Sequence, residues 1–182
     1  GKLEEARPLL EEAMQGERET LGDRHPSTLI SINNMGELLH TMGQLKEAMP
    51  LYEEALQGCE ETLGDRHPHT LISISNMAGL LKDLGKLDEA RPLYEEALQA
   101  SRETLGDRHP ETLLSISNMG QLLQAMGQLE EARALYEEAL HASREVLGDR
   151  HPETLLSISN MGQLLQAMGQ LEEARPLYEE AL

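Results

Sequence analysis

The chain reads as an all-α solenoid, built from antiparallel helical hairpins, on the strength of three observations. First, the pentapeptide Gly-Asp-Arg-His-Pro begins at Gly22, Gly64, Gly106 and Gly148, always 42 residues apart, and residues 106–140 match residues 148–182 except at Ala134 and Pro176. Self-similarity of this length marks units that cannot bury an apolar face alone and stack to do so. Second, each unit holds two apolar stripes of helical period. Third, the sequence lacks Phe and Trp and is rich in Leu, Ala and Glu, residues that lose little freedom in a helix.

In chain order, residues 1–21 form a partial repeat with only a second helix, Leu3–Leu21. Repeats 22–63, 64–105, 106–147 and a shortened 148–182 follow, so that nine helices are expected in a single solenoid of residues 1–182. In the third repeat the first helix runs from about Pro110 to Met126. Leu113, Ile116, Met119, Leu123 and Met126 recur at intervals of three and four and share one stripe, which Leu114 and Leu122 widen. Pro110 suits a first turn, where its missing N–H costs nothing. Asp107 and His109 are both available as the preceding cap. Gly127 ends the helix by taking a left-handed conformation.

The second helix runs from about Glu130 to Leu147, with Ala132, Leu135, Tyr136, Ala139 and Leu140 facing inward and Gly148 closing it. Glu130 and Glu131 match the positive end of its dipole. Pro92 and Pro176 fall past the first few positions of their helices, where each loses one backbone hydrogen bond, so a slight kink is expected there and not a break. The chain opens at an inter-helix turn and stops inside the last helix at Leu182, which reads as a piece of a longer array.

The formal net charge of −18 is spread evenly: residues 106–147 hold seven acidic and three basic side chains. Like charge along the whole array excludes a nucleic-acid partner. No apolar run approaches the roughly 18 residues of a membrane span, so no membrane contact is expected either. The single Cys59 stands where Ser101 and Ser143 stand in later repeats. It reads as a free thiol, and the setting is expected to be cytoplasmic.

Small Gly120 among Ile116, Met119 and Leu123, followed by Ala132, Tyr136 and Ala139, resembles the tetratricopeptide repeat. Gly36, Ala78 and Gly162 keep the first of these positions small elsewhere. The aromatic residue expected near Ile116 is missing, and the pattern's terminal proline falls at Arg144. Relative to the family's usual period of about 34 residues, the added length is about one turn per helix. With the His-Pro at each first-helix start, this is similar to the longer variety in kinesin light chains and in the sensor arrays of NOD-like proteins.

The resemblance implies a right-handed superhelix whose first helices line a concave groove and whose second helices form the back. It implies a non-enzymatic module that binds a peptide or protein of unknown identity, part of a larger scaffold or sensor, without a cofactor. The alternatives are a self-assembling structural scaffold and an engineered consensus array with no natural partner. The chain is accordingly expected as a monomer or in weak end-to-end association.

Mapped onto the third repeat, the family's groove positions are Leu114, Ser117, Asn118, Gln121, Gln124 and Ala125. Segments 113–126 and 155–168 hold no charged residue, whereas the second helices carry Glu pairs at 95/96, 137/138 and 179/180. A neutral, polar groove and an acidic back follow. Lys82 is the single basic groove candidate and is offset by Asp83. The most regular groove element is a ladder of Asn34, Asn76, Asn118 and Asn160, accompanied by Ser75, Ser117 and Ser159 and by Gln121, Gln124, Gln163 and Gln166. A carboxamide both donates and accepts, so the ladder suits an extended peptide backbone. It equally suits bonds to neighbouring helices.

His25, His67, His109 and His151 recur once per unit, too far apart to converge on one ion, since zinc ligands must approach to about 2 Å. A capping or loop-packing role is expected for them instead, and no metal site. Catalysis needs unlike residues converging at one place, which strict repetition does not supply, so no catalytic residue is assigned.

Overall fold

The computed structural model describes residues 1–180, so the expected helix end at Leu182 lies outside the described residues. Among the described residues all regular structure is helical. The elements are α1 (Lys2–Leu21), α2 (Pro26–Thr41), α3 (Leu45–Leu63), α4 (Pro68–Asp83), α5 (Leu87–Leu105), α6 (Pro110–Ala125), α7 (Leu129–Leu147), α8 (Pro152–Ala167) and α9 (Leu171–Glu180). These are the expected hairpins of an α-solenoid. The chain divides within α5 into two compact units, Gly1–Leu93 and Tyr94–Leu182. In the first unit α2 packs against α1 and α3, and α3 against α4; in the second, α6 packs on α7, α7 on α8 and α8 on α9.

Every residue of the recurring pentapeptide has a structural task. Gly22, with φ 90°, and Gly148, with φ 87°, turn the chain out of a second helix in the left-handed region that an L side chain enters only with strain. In three copies the Asp reaches back to an arginine of the preceding helix, Asp23 to Arg18 at 3.1 Å, Asp107 to Arg102 at 3.5 Å and Asp149 to Arg144 at 3.7 Å, whereas the position that would serve Asp65 is Glu60. The Arg reaches the following second helix: Arg24 meets Glu61 at 3.3 Å and Arg108 meets Glu145 at 3.0 Å. The His is the cap that two candidates competed for. His109 Nδ1 accepts the Glu111 N–H at 3.2 Å, and His25, His67 and His151 do the same for Ser27, His69 and Glu153. This engages a ring nitrogen of each loop histidine in its own helix. The Pro occupies the first turn of each first helix, where no backbone donor is missed.

The first helices close as Gly127 foretells. Gly127 donates to the Gln124 carbonyl at 3.0 Å and Gln128 to the Leu123 carbonyl at 2.9 Å, the paired bonds of a Schellman ending. Pro8, Pro50, Pro92 and Pro176 all lie inside helices that continue past them.

The hairpins are held by a glycine beneath a tyrosine. Tyr52 and Tyr136 are fully buried, and a Cβ placed on Gly36 or Gly120 would come within 2.8 Å and 2.5 Å of their rings. Gly162 faces Tyr178 in the same way. Burial pushes the Tyr52 and Tyr136 hydroxyls well above their ordinary pKa. Buried apolar clusters are formed by Leu113, Ile116, Ala139 and Ala142 in the second unit and by Leu29, Ile32, Ala55 and Cys59 in the first.

Two expectations are corrected. Leu114 does not widen the buried stripe: one residue beyond Leu113, it is rotated away from the second helix and is 55% exposed. Nor is the back of the second helices simply acidic. Arg18 bonds Glu54 at 2.7 Å, Arg102 bonds Glu138 at 2.6 Å and Arg144 bonds Glu180 at 2.7 Å, each from one second helix to the next. The other members of the pairs, Glu137 and Glu179, meet Arg133 and Arg175 one turn away at 2.8 and 2.9 Å. Arginines thus meet several members of the Glu pairs, but their series is broken at Glu60 and α7 still carries five acidic side chains against two basic ones, so the back stays net acidic.

Candidate functional site: clefts between successive first helices

Two equivalent clefts open where one first helix approaches the next. The first, of about 150 Å³, lies between α2 and α4 and is lined by Leu29, Ile30, Asn33, Asn34, Cys59, His69, Ile72 and Ser73. The second, of about 130 Å³, lies between α6 and α8 and is lined by Leu113, Leu114, Ser117, Ser143, Glu153, Leu156 and Ser157, with Pro110 and Glu111 at its end. Shifted by two repeats, Leu29, Ile30, Asn33, Cys59, His69, Ile72 and Ser73 of the first become the seven residues just named in the second. Repetition of sequence has produced repetition of a cavity. Each is of the size that holds one benzene-sized group, for which about 150 Å³ suffices.

The walls are more apolar, and the second lip more charged, than a neutral polar groove. Ile72, Leu114 and Leu156 are 44%, 55% and 49% exposed along the clefts. Glu111 and Glu153 sit on the second cleft in the first turns of α6 and α8, just before the charge-free segments begin. Sequence reasoning missed both, although Glu111 shares a helical face with Leu114 and Asn118 at intervals of three and seven. It also missed Asn33, the counterpart of Ser75, Ser117 and Ser159.

The asparagine ladder does not behave uniformly. Asn34 is exposed and lines the first cleft. Asn76 is half-buried and its Nδ2 donates to Asn33 Oδ1 at 3.3 Å, closing one first helix onto the next. Asn118 is half-buried. Asn160 is only 7% exposed, and its Nδ2 has no hydrogen-bond partner. The reason is visible one repeat earlier: where Asn33 receives Asn76, the residue facing Asn160 is Ser117, shorter by two heavy atoms. Ser117 is itself 6% exposed and lines the cleft. Its hydroxyl makes no hydrogen bond among the described residues.

The other candidates divide between the fold and the surface. Ser75 is half-buried. The Ser159 hydroxyl is taken up by the Leu155 carbonyl at 2.9 Å. Gln124 and Gln166 accept the hydroxyls of Tyr136 and Tyr178 at 3.4 and 3.0 Å, so they orient the buried rings. Gln121 is half-buried and Gln163 exposed. At the far end of the first unit His40 Nε2 meets Asp83 Oδ2 at 2.8 Å, with Lys82 Nζ 3.9 Å from the same carboxylate. Lys82 is therefore no isolated cation.

The cleft linings offer apolar contact and hydrogen-bonding groups. Burial pushes the Cys59 thiol upward, away from thiolate, with a 3.9 Å contact from Ser73 Oγ working in the opposite sense. Among the described residues no group of His, Cys, Asp and Glu converges as a metal site, and no helix is long and apolar enough to cross a membrane.

Comparison with known proteins agrees with this geometry. A family model described as tetratricopeptide repeat matches residues 1–61, 32–81, 69–140 and 113–182. Among solved structures, a Podosopora anserina protein, titled a putative kinesin light chain with nearly identical TPR-like repeats, is 32% identical. It superposes with a TM-score of 0.79 over 100% of this chain and 86% of its own. BtubC (BKLC) from P. vanneervenii shares the fold at 21% identity and a TM-score of 0.79, over 100% of this chain and 72% of its own. A Rap protein complexed with Competence and Sporulation Factor shares it at 15% identity and a TM-score of 0.75, over 86% of this chain and 42% of its own. No curated protein sequence matches the chain.

Proposed function

Because the chain belongs to the tetratricopeptide repeat family, whose members bind peptides and proteins, we propose that it is a non-enzymatic interaction module that takes an extended peptide segment along the clefts between its first helices. The carrying observation is the recurrence of one cleft at α2/α4 and at α6/α8, built from equivalent positions and edged by exposed Ile72, Leu114 and Leu156. A repeated cavity suits a repeated ligand unit: an extended chain presents alternate side chains to one side, so one segment can fill a pocket and continue. Exposed aliphatic walls supply about 25 cal/mol per Å² of apolar surface covered. The polar groups beside them, Ser117, Gln121, Gln163 and Asn34, fix backbone register through hydrogen bonds of about 0.5–1.5 kcal/mol each.

The test is a display selection on the intact chain, followed by affinity and melting measurements on Leu114→Ser with Leu156→Ser. Both side chains are about half exposed, so the melting point should hold while the selected peptide loses at least about tenfold in affinity, or 1.4 kcal/mol. Unchanged affinity would place binding elsewhere on the molecule.

A further inference from the structure

The second cleft differs from the first in three groups that act together. Glu111 and Glu153 line it where the first cleft has His69 and no carboxylate, and Ser117 stands where the first has Asn33. Neither carboxylate has a side-chain partner among the described residues, although the surrounding charges do: Arg108 pairs with Glu145 at 3.0 Å, and Arg102 lies 3.5 Å from Asp107. Ser117 leaves a hydroxyl unpaired in a nine-tenths-buried side chain on the cleft wall. The same cleft is lined by the aliphatic side chains of Leu113, Leu114 and Leu156. In sequence along α6 the order is carboxylate, aliphatic, hydroxyl.

We propose that the α6/α8 cleft is an arginine-selective subsite of the peptide groove. This rests on the peptide-binding reading above and adds to it the chemistry of one side chain. An arginine has an apolar stem long enough to cover the Leu114–Leu156 wall and a planar head with five donors for the two carboxylates. Its own backbone then lies at Ser117, whose hydroxyl can donate to a carbonyl or accept from an N–H. A purely aliphatic side chain fills the wall and leaves Glu111 and Glu153 unpaired; an acidic one meets like charge. The α2/α4 cleft, with neither carboxylate and with Asn33 already held by Asn76, lacks this preference.

The test uses the full chain and four capped heptapeptides, Ser-Ala-Ser-X-Ser-Ala-Ser, with X arginine, citrulline, leucine or glutamate, titrated by NMR with melting recorded on every variant. Citrulline keeps the shape of arginine and removes its charge. The arginine peptide should shift the resonances of Leu114, Ser117 and Leu156 and bind at least about five-fold tighter than the citrulline peptide, since charge-assisted hydrogen bonds are about twice as strong as neutral ones. Glu111→Gln with Glu153→Gln should erase that difference without lowering the melting point. Ser117→Asn, which installs the side chain of the first cleft, should weaken the arginine peptide while leaving the fold intact. Equal binding of arginine and citrulline, or an arginine preference that survives the double Gln variant, overturns the subsite. If the leucine peptide binds the same cleft at least as well, the arginine proposal falls and the peptide-binding reading stands. If no peptide moves a first-helix resonance, both fall.

Discussion

The α2/α4 and α6/α8 clefts occupy the same place in their units, have nearly the same volume, and differ in how their polar groups are satisfied. In the first, Asn76 donates to Asn33 at 3.3 Å. In the second, Asn160 and Ser117 stand at the same two positions, and among the described residues neither the Asn160 Nδ2 nor the Ser117 hydroxyl has a partner. A single shortening, Asn to Ser, separates a self-satisfied wall from one with spare hydrogen-bonding capacity. The lining charges follow the same division: the second cleft carries Glu111 and Glu153, while the first is lined by no carboxylate. In a repeat protein, what is common to the units maintains the stack, and what differs between them is available for specificity.

The largest expected effect tests what the units share. Gly120→Leu should destabilise by about 1–3 kcal/mol in a urea titration, because even its Cβ would come within 2.5 Å of the buried Tyr136 ring. Gly36→Leu should cost a similar amount against Tyr52. Gly120→Ala should be milder, since Ala78 fills the equivalent place fully buried. A neutral Gly120→Leu would show that the ring is not held over the glycine.

Next in size are the histidine caps. His109→Ala should lose about 1 kcal/mol, the usual cost of a missing N-cap acceptor, with added zinc or chelator leaving the melting curve of the parent chain unmoved. A chelator-induced loss of helicity would return the histidines to metal binding.

Asn76→Ala should cost about 0.5–1.5 kcal/mol through loss of its bond to Asn33, whereas Asn160→Ala should be close to neutral, its Nδ2 having no bond to lose. This pair addresses the comparison most directly. Equal penalties would mean that Asn160 has a partner in solution and that the two clefts are alike. The exchange Asn33→Ser should make the first wall resemble the second, and would sharpen the case if it lowered stability about as much as Asn76→Ala.

The smallest effect belongs to the arginine ladder. Arg144→Ala removes a partly exposed pair with Glu180 and should cost less than about 1 kcal/mol, shrinking further as salt is raised. A larger, salt-independent loss would point to packing of the arginine stem and not to its charge.

The sequence alone determined the helices and their order, because each signal for them is local. Period-3.6 apolar positions, a proline in the first turn and a glycine past the last act within a few residues, and four near-copies show each signal repeatedly. The glycine beneath the tyrosine was half legible: Gly120 announced a close approach but not which ring would make it. Only the tertiary structure decided the rest, because it depends on which residues meet across a 42-residue interval. Whether Asn76 serves the fold, whether Ser117 is left unpaired and whether Glu138 is bare or met by Arg102 are questions of distance between helices. His109 rather than Asp107 capping α6 follows from the turn at Gly106, where Asp107 is drawn back toward Arg102. The clefts belong to this second class. Their residues stand in plain order along the chain, with Glu111 one turn from Leu114, but a cavity exists only once two helices have taken their places beside each other.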